Sequence, residues 1–254
     1  MTAPSKRRFR WRRIIAIAVL IVLLVAAAAV TWLFWPQQVL PEADAALVSS
    51  QTLSIDESGG RITFTPTEGA DVGLILYPGG KVPAEAYAPT ARLVAEQGYL
   101  VVLVSMPFNF AVFDANAASG VIADHPEITQ WAIGGHSLGG AMAGQFIASN
   151  PDAVDGLVLW AAYSAADASA SGVDTAVVYG TLDSGRERFT SVESLALLPP
   201  DPVITAIEGG NHANFGSYSG QPNDPPATIS RTDQQAQVVA ATLELLDAVG
   251  DPVP

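Results

Sequence analysis

Trp131-Ala-Ile-Gly-Gly-His-Ser-Leu-Gly-Gly-Ala-Met-Ala-Gly144 is the stretch on which the reading of the whole chain turns. A short apolar run, Trp131 to Ile133, meets a glycine pair, then a serine, then a second glycine pair, and small helix-compatible residues follow. That pattern predicts strand, sharp turn, helix. Gly135-His136-Ser137-Leu138-Gly139 fits G-x-S-x-G, an elbow in which the serine adopts a strained backbone and the flanking glycines let strand and helix approach closely. Such a turn presents a hydroxyl and hides its neighbours, which makes Ser137 the candidate nucleophile.

Outward from the elbow, apolar runs alternate with helical patterns. Residues 72–77 are solidly apolar and end in Pro78-Gly79-Gly80-Lys81; a helical pattern over 84–97 stops at Gly98, and 99–105 is another continuous run. Residues 108–123 read as a helix, 131–135 as the elbow strand, and the elbow helix ends near Asn150-Pro151. Strands at 156–162, 175–179 and 203–208 follow, with a helix over 188–198 and a last one over 232–249. Upstream, 52–56 and 61–65 alternate and are joined by Glu57-Ser58-Gly59-Gly60, the signature of a hairpin at the sheet edge. Continuous rather than alternating hydrophobicity marks strands covered on both faces. The expected fold is therefore α/β, a mostly parallel sheet of about eight strands with helices on both faces. In such sheets chemistry gathers at the carboxyl ends of the strands.

Partners for Ser137 belong at those ends. Of the three histidines, His125 precedes a proline in a turn and suits a surface or capping role. His136 adjoins the serine, but neighbouring side chains on an elbow diverge, so it is expected to pack or hydrogen-bond locally. His212, in Glu208-Gly-Gly-Asn-His-Ala-Asn-Phe-Gly216, lies just past a strand, where it can reach the elbow as a general base. Asp183, in Tyr179-Gly-Thr-Leu-Asp-Ser184, occupies the same position after its own strand and gives the chain order Ser, Asp, His. Asp167 and Asp174 are fallback acids, the second at the wrong end of a strand. For a developing oxyanion, the Leu138 N–H at the start of the elbow helix is one donor, and an amide of Gly79-Gly80-Lys81 is the other, with Gly80 favoured over Lys81. Phe108, Phe110, Phe113, Phe215 and Tyr218 either line an acyl pocket or belong to the core.

Tyr77-Pro-Gly-Gly80, Gly134-Gly-His-Ser-Leu-Gly-Gly140, Tyr179-Gly-Thr-Leu-Asp183 and Glu208 to Gly216 together resemble the α/β-hydrolases, and more narrowly the small capless members near the dienelactone-hydrolase type. The resemblance spans most of residues 51–249. It implies Ser137 as nucleophile, Asp183 as acid and His212 as base. A thiol replaces the serine in the dienelactone enzymes themselves, so their substrate does not carry over. Only about a dozen residues separate the strand ending at Ala162 from the one near Asp174, too few for a lid domain, and an open or loop-covered cleft is expected.

Charge and hydropathy set the surroundings. The 254 residues carry 12 basic and 25 acidic side chains and no cysteine. Six of the bases, Lys6, Arg7, Arg8, Arg10, Arg12 and Arg13, precede the first acid, Glu42, so the body carries 25 acids against six bases, net −19. A surface of that sign repels phosphate backbones and excludes a nucleic-acid partner. Thiol nucleophiles, disulfides and zinc-thiolate sites are excluded as well. Between Arg13 and Glu42 no charge occurs, and 14–35 is an apolar run long enough to span a bilayer as a helix. The flanking bases put residues 1–13 in the cytoplasm and the body outside. Ala43-Asp44-Ala45 offers the alternative of a cleaved signal and a secreted body. Residues 36–50 read as a tether, and 51–254 as a single domain.

The expectation is a membrane-tethered, extracytoplasmic serine hydrolase acting on small carboxylic esters, with no metal or organic cofactor implied. An acyltransferase on the same fold and a catalytically silent binding module are the alternatives.

Overall fold

The computed structural model describes residues 6–250; the first five residues of the basic segment and the last four of the body, 251–254, lie outside the described residues. The chain divides after Trp35 into an N-terminal unit and a body. The N-terminal unit is one helix, α1 (Lys6–Phe34). Its 24-residue stretch Trp11–Phe34, which contains an 18-residue window of mean hydropathy 3.1, is the one helix among the described residues long and apolar enough to cross a membrane, a property that anchors and signal sequences share.

The body opens with α2 (Pro41–Ala46), then β1 (Leu53–Ser58), β2 (Arg61–Pro66), β3 (Val72–Tyr77), α3 (Ala88–Ala95), β4 (Leu100–Val104) and α4 (Ala117–Asp124). It continues with β5 (Gln130–His136), α5 (Leu138–Ser149), β6 (Gly156–Trp160), β7 (Asp174–Gly180), α6 (Arg186–Phe189), α7 (Val192–Leu195), β8 (Val203–Ile207) and α8 (Arg231–Gly250). The strands form one eight-stranded sheet in the order β1-β2-β4-β3-β5-β6-β7-β8. β1 and β2 pair antiparallel, β2 joins β4 antiparallel, and every later pairing is parallel. Helices cover both faces. β3, β4 and β6 are buried along their whole length, which is why they read as unbroken apolar runs.

The strand order reverses between β3 and β5. From β3 the chain moves outward to β4, then returns to the far side of β3, so the loops leaving β3 and β5 diverge and open a crevice at their carboxyl ends. Register brings Tyr77, the end of β3, beside Gly135. Approach here is too close for side chains: a Cβ on Gly139 would lie 2.1 Å from the Tyr77 carbonyl oxygen, and one on Gly135 2.4 Å from it. Glycine is the requirement at both positions.

Three expectations need correction. Residues 36–50, read as a tether, are docked on the body over most of their length. The Gln37 N–H donates to the Lys81 carbonyl (2.8 Å), Leu40 N–H to Ser217 (2.9 Å), and Ser219 N–H to Gln38 (2.8 Å). The short helix α2 buries Ala43 and Ala46, and Arg92 holds the carbonyls of Ala46 and Val48. Backbone bonds of this kind leave no mark in composition. Residues 108–123 are not one helix: two 3-10 turns, Pro107–Asn109 and Ala111–Phe113, precede α4, because Phe108 and Asn109 sit at φ 54° and 58°. The helix expected over 188–198 is two single turns, α6 and α7, the second capped by Ser191.

Candidate active site

Ser137 sits between β5 and α5 at φ 53°, ψ −119°. A non-glycine residue there costs on the order of 1–3 kcal/mol and persists only where its surroundings impose it. They do: the Ser137 N–H donates to the Trp160 carbonyl at 2.9 Å, and its own carbonyl accepts from Ala141 at 3.1 Å, which starts α5. Asp183 follows β7 and is 1% exposed. Its Oδ2 lies 2.6 Å from His212 Nδ1, and its Oδ1 accepts the Gly185 N–H at 2.7 Å, so both carboxylate oxygens are engaged. His212 follows β8 on a loop held from two sides. Asp224 accepts the N–H groups of His212 (3.2 Å) and Ala213 (2.8 Å), while Gln234 of α8 exchanges two hydrogen bonds with the backbone of Asn211. Burial pushes the Asp224 carboxyl up from its ordinary range. Ser137, Leu138, Asp183 and His212 line one cleft of about 500 Å³.

Beside the elbow, the loop after β3 is committed amide by amide. Gly79 N–H donates to the Tyr87 hydroxyl (3.0 Å), and Lys81 N–H to the Asn109 carbonyl (2.7 Å). The intervening amide is that of Gly80, whose α-carbon faces Leu138 and Phe110; a Cβ there would stand 3.4 Å from the Leu138 side chain. Of the two donors considered from sequence, Gly80 or Lys81, only Gly80 retains an uncommitted N–H.

The Tyr87 hydroxyl, which accepts from Gly79, is also hydrogen-bonded to His136 Nδ1 at 2.8 Å. His136 is fully buried, stacks on Phe215 (5.5 Å between centroids, 12° between planes) and lies 4.5 Å, centroid to centroid, from His212. Burial, reinforced by the charge of His212, holds its pKa well below the ordinary imidazole value. His136 is therefore held neutral by its burial and serves to tie the elbow strand to Tyr87.

A model of the family described as the alpha/beta hydrolase family matches residues 73–236, well over half of the chain. The chain belongs to the alpha/beta hydrolase family. As an alpha/beta hydrolase it resembles solved structures of the same architecture. Dienelactone hydrolase from Anabaena variabilis superposes with a TM-score of 0.57 at 14% identity, over 77% of this chain and 100% of the other. A predicted CIB-like hydrolase from Thermoplasma acidophilum gives 0.53 at 18% identity, over 76% and 100%. Likeness at such identity speaks for the fold alone. Among curated proteins none matches significantly.

Within this alpha/beta hydrolase, Asp183 and His212 are bonded to each other and line one cleft with Ser137, and the fallback acids stand apart. Asp167 is exposed and bonded to Ser169, and Asp174 opens β7 at its far end. His125 caps the end of α4 and pairs with Glu127 at 3.0 Å. Of the five aromatics weighed for an acyl pocket, Phe215 and Tyr218 are core, Phe108 and Phe113 are exposed, and none of the five lines the cleft. Tyr87, Tyr163, Arg188 and Asp224 were not foreseen. Their partners lie far along the chain or in irregular loops, and only Asp224, in a Pro/Asn/Asp turn, carried a local signal.

His136 also sets a pH dependence of stability. In the unfolded chain an imidazole protonates near pH 6.5, whereas the buried ring stays neutral to lower pH. Below about pH 6.5 the unfolded state thus binds the extra proton, and stability falls as pH falls by up to about 1.4 kcal/mol per unit from this group. Urea unfolding of the detergent-solubilised chain between pH 5 and 7.5 is expected to lose this slope in His136→Asn. Parallel curves for variant and wild type would remove His136 as its source.

Proposed function

We propose that this alpha/beta hydrolase is a membrane-tethered, extracytoplasmic serine hydrolase of small carboxylic esters. The observation that carries the reading is the 2.6 Å bond from Asp183 to His212 in a cleft shared with the strained Ser137 elbow. In this reading Ser137 Oγ attacks the acyl carbon while His212 Nε2 takes its proton. Asp183 holds the Nδ1–H tautomer and balances the imidazolium as it forms. The Leu138 and Gly80 amides receive the oxyanion, and the helix dipole of α5 favours negative charge at the first of them. His212 then protonates the departing alcohol, activates a water, and returns the proton to Ser137 as the acid leaves.

Membrane attachment is supported by the apolar helix Trp11–Phe34 and the six bases, Lys6 to Arg13, at and before its N-terminal end. Retention is supported by α2: cleavage at Ala43-Asp44-Ala45 would cut within that helix and discard residues 37–40, which are hydrogen-bonded to the body. The acidic body supports small uncharged or singly charged substrates over nucleic acid. A fluorophosphonate probe tests the central assignment. Stoichiometric labelling is expected, with the adduct mapped by mass spectrometry to the peptide bearing Ser137; folded protein that takes no label would favour a silent binding module instead.

A further inference from the structure

The proposed reaction says nothing of which ester fits, and the cleft carries a feature that the reaction does not use. Arg188, on α6, is the one arginine or lysine among its lining residues. It is exposed, and its guanidinium carbon stands 4.2 Å from the centroid of the Tyr163 ring, which lines the same cleft from the loop after β6. The position is fixed by the catalytic loop itself. Asp183 Oδ1 accepts the Gly185 N–H, Gly185 starts the turn by accepting the Arg188 N–H at 2.9 Å, and Phe189 anchors that turn by burying its ring.

What sets Arg188 apart is its lack of a carboxylate in a body that has 25 of them. Arg61 pairs with Asp124, Arg92 with Glu96, Arg186 with Glu187 and Arg231 with Glu42. Among the described residues none accepts a hydrogen bond from the Arg188 side chain or pairs with it. The acids of the cleft are otherwise engaged: Asp183 by His212 and Gly185, Asp224 by the amides of His212 and Ala213. A cation–π contact uses the charge of a guanidinium and leaves its in-plane N–H fork for a planar oxyanion. Tyr163 therefore props the cation at the cleft without consuming its donors.

The geometry points to Arg188 as the specificity residue of the site, selecting an ester that carries a free carboxylate. This rests on the assignment of Ser137, Asp183 and His212 to the reaction and adds the substrate class. A single negative charge is what a single arginine balances; a doubly charged phosphate would leave an excess beside Asp224. The carboxylate is matched by a bidentate, charge-assisted contact, the strong form of this interaction.

Two matched ester pairs test it, one with the anion on the acyl side and one on the alcohol side. They are mono-4-nitrophenyl adipate against 4-nitrophenyl hexanoate, and 4-acetoxybenzoate against its methyl ester. In each pair the readout is the ratio of kcat/KM for the anionic ester to that for the neutral one, in full-length wild type, Arg188→Gln, Arg188→Lys and Arg188→Glu. In at least one pair the ratio is expected to fall about tenfold or more in Arg188→Gln, mainly through KM, as befits a lost charge-assisted hydrogen bond. Arg188→Lys should restore part of it and Arg188→Glu should lower it further. A fall of less than about tenfold in both pairs overturns the inference. Because the readout is a ratio, a general loss of folded enzyme cancels. Ser137→Ala separates the two readings: hydrolysis that survives it sinks the catalytic assignment, and hydrolysis that needs Ser137 with an unmoved ratio sinks only the role of Arg188.

Discussion

Replacing Ser137 by alanine should cut the turnover of 4-nitrophenyl butyrate by about 10⁶-fold, the order expected when the nucleophile of such a trio is deleted. The size follows from what the substitution removes. Without Oγ no acyl-enzyme forms, and His212 and Asp183 are left without the hydroxyl they would activate. A residual rate of about 10³-fold over solution should remain, from the Leu138 and Gly80 amides and from binding. The fold should be untouched, because the elbow is held by backbone bonds: Ser137 N–H to Trp160 and Ala141 N–H to the Ser137 carbonyl survive the change. Alanine also pays the same backbone strain at φ 53° that serine does. Thermal unfolding should therefore shift by no more than a surface substitution would cause, within about 0.5 kcal/mol. Steady-state kinetics beside a melting curve checks both halves. A folded variant keeping more than a hundredth of the activity would mean that another group attacks the ester.

The parts of the molecule that could be read from sequence are those whose physical cause is local. β3 and β4 are visible because strands buried on both faces must be apolar throughout, and the elbow is visible because Gly135 and Gly139 stand where a Cβ would strike the Tyr77 carbonyl. His212 and Asp183 follow from their places just past strands of a parallel sheet. What escaped was determined at a distance. Tyr87 and His136 are 49 residues apart, and neither reveals that the phenol joins the loop after β3 to the end of β5. Residues 37–47 dock through main-chain bonds and two alanines, so their composition mimics a linker. The error over 108–123 has a different origin: apolar residues recur there at helical spacing, but positive φ at Phe108 and Asn109 turns the chain, and the Asn109 carbonyl takes the Lys81 N–H. That bond commits the Lys81 amide, so the misread segment bears on which amide of the loop is left to donate.

Asp183→Asn should lower kcat by about 10⁴-fold with little change in KM or in folding, a larger effect than any further substitution outside the nucleophile and base. Asparagine keeps the volume of a side chain only 2% exposed, and its carbonyl oxygen can still accept the Gly185 N–H that shapes the loop. The second oxygen becomes an amide facing His212 Nδ1 across what was a 2.6 Å bond. An amide N–H there requires Nδ1 to be the acceptor, so the ring's proton moves to Nε2, the nitrogen that must take the proton of Ser137. The base is then present, positioned and in the wrong tautomer. Loss of the carboxylate charge adds to this by withdrawing the counter-ion of the imidazolium that forms as Ser137 attacks. Because the defect lies in proton transfer and not in binding, fluorophosphonate labelling should slow by a similar factor while still reaching completion at Ser137. Asp183→Ala is the harsher control, since it also frees the Gly185 N–H and should lower stability as well as rate. Retention of kcat within threefold in a folded Asp183→Asn protein would mean that the orientation of His212 comes from its loop, through Asp224 and Gln234, and not from the acid.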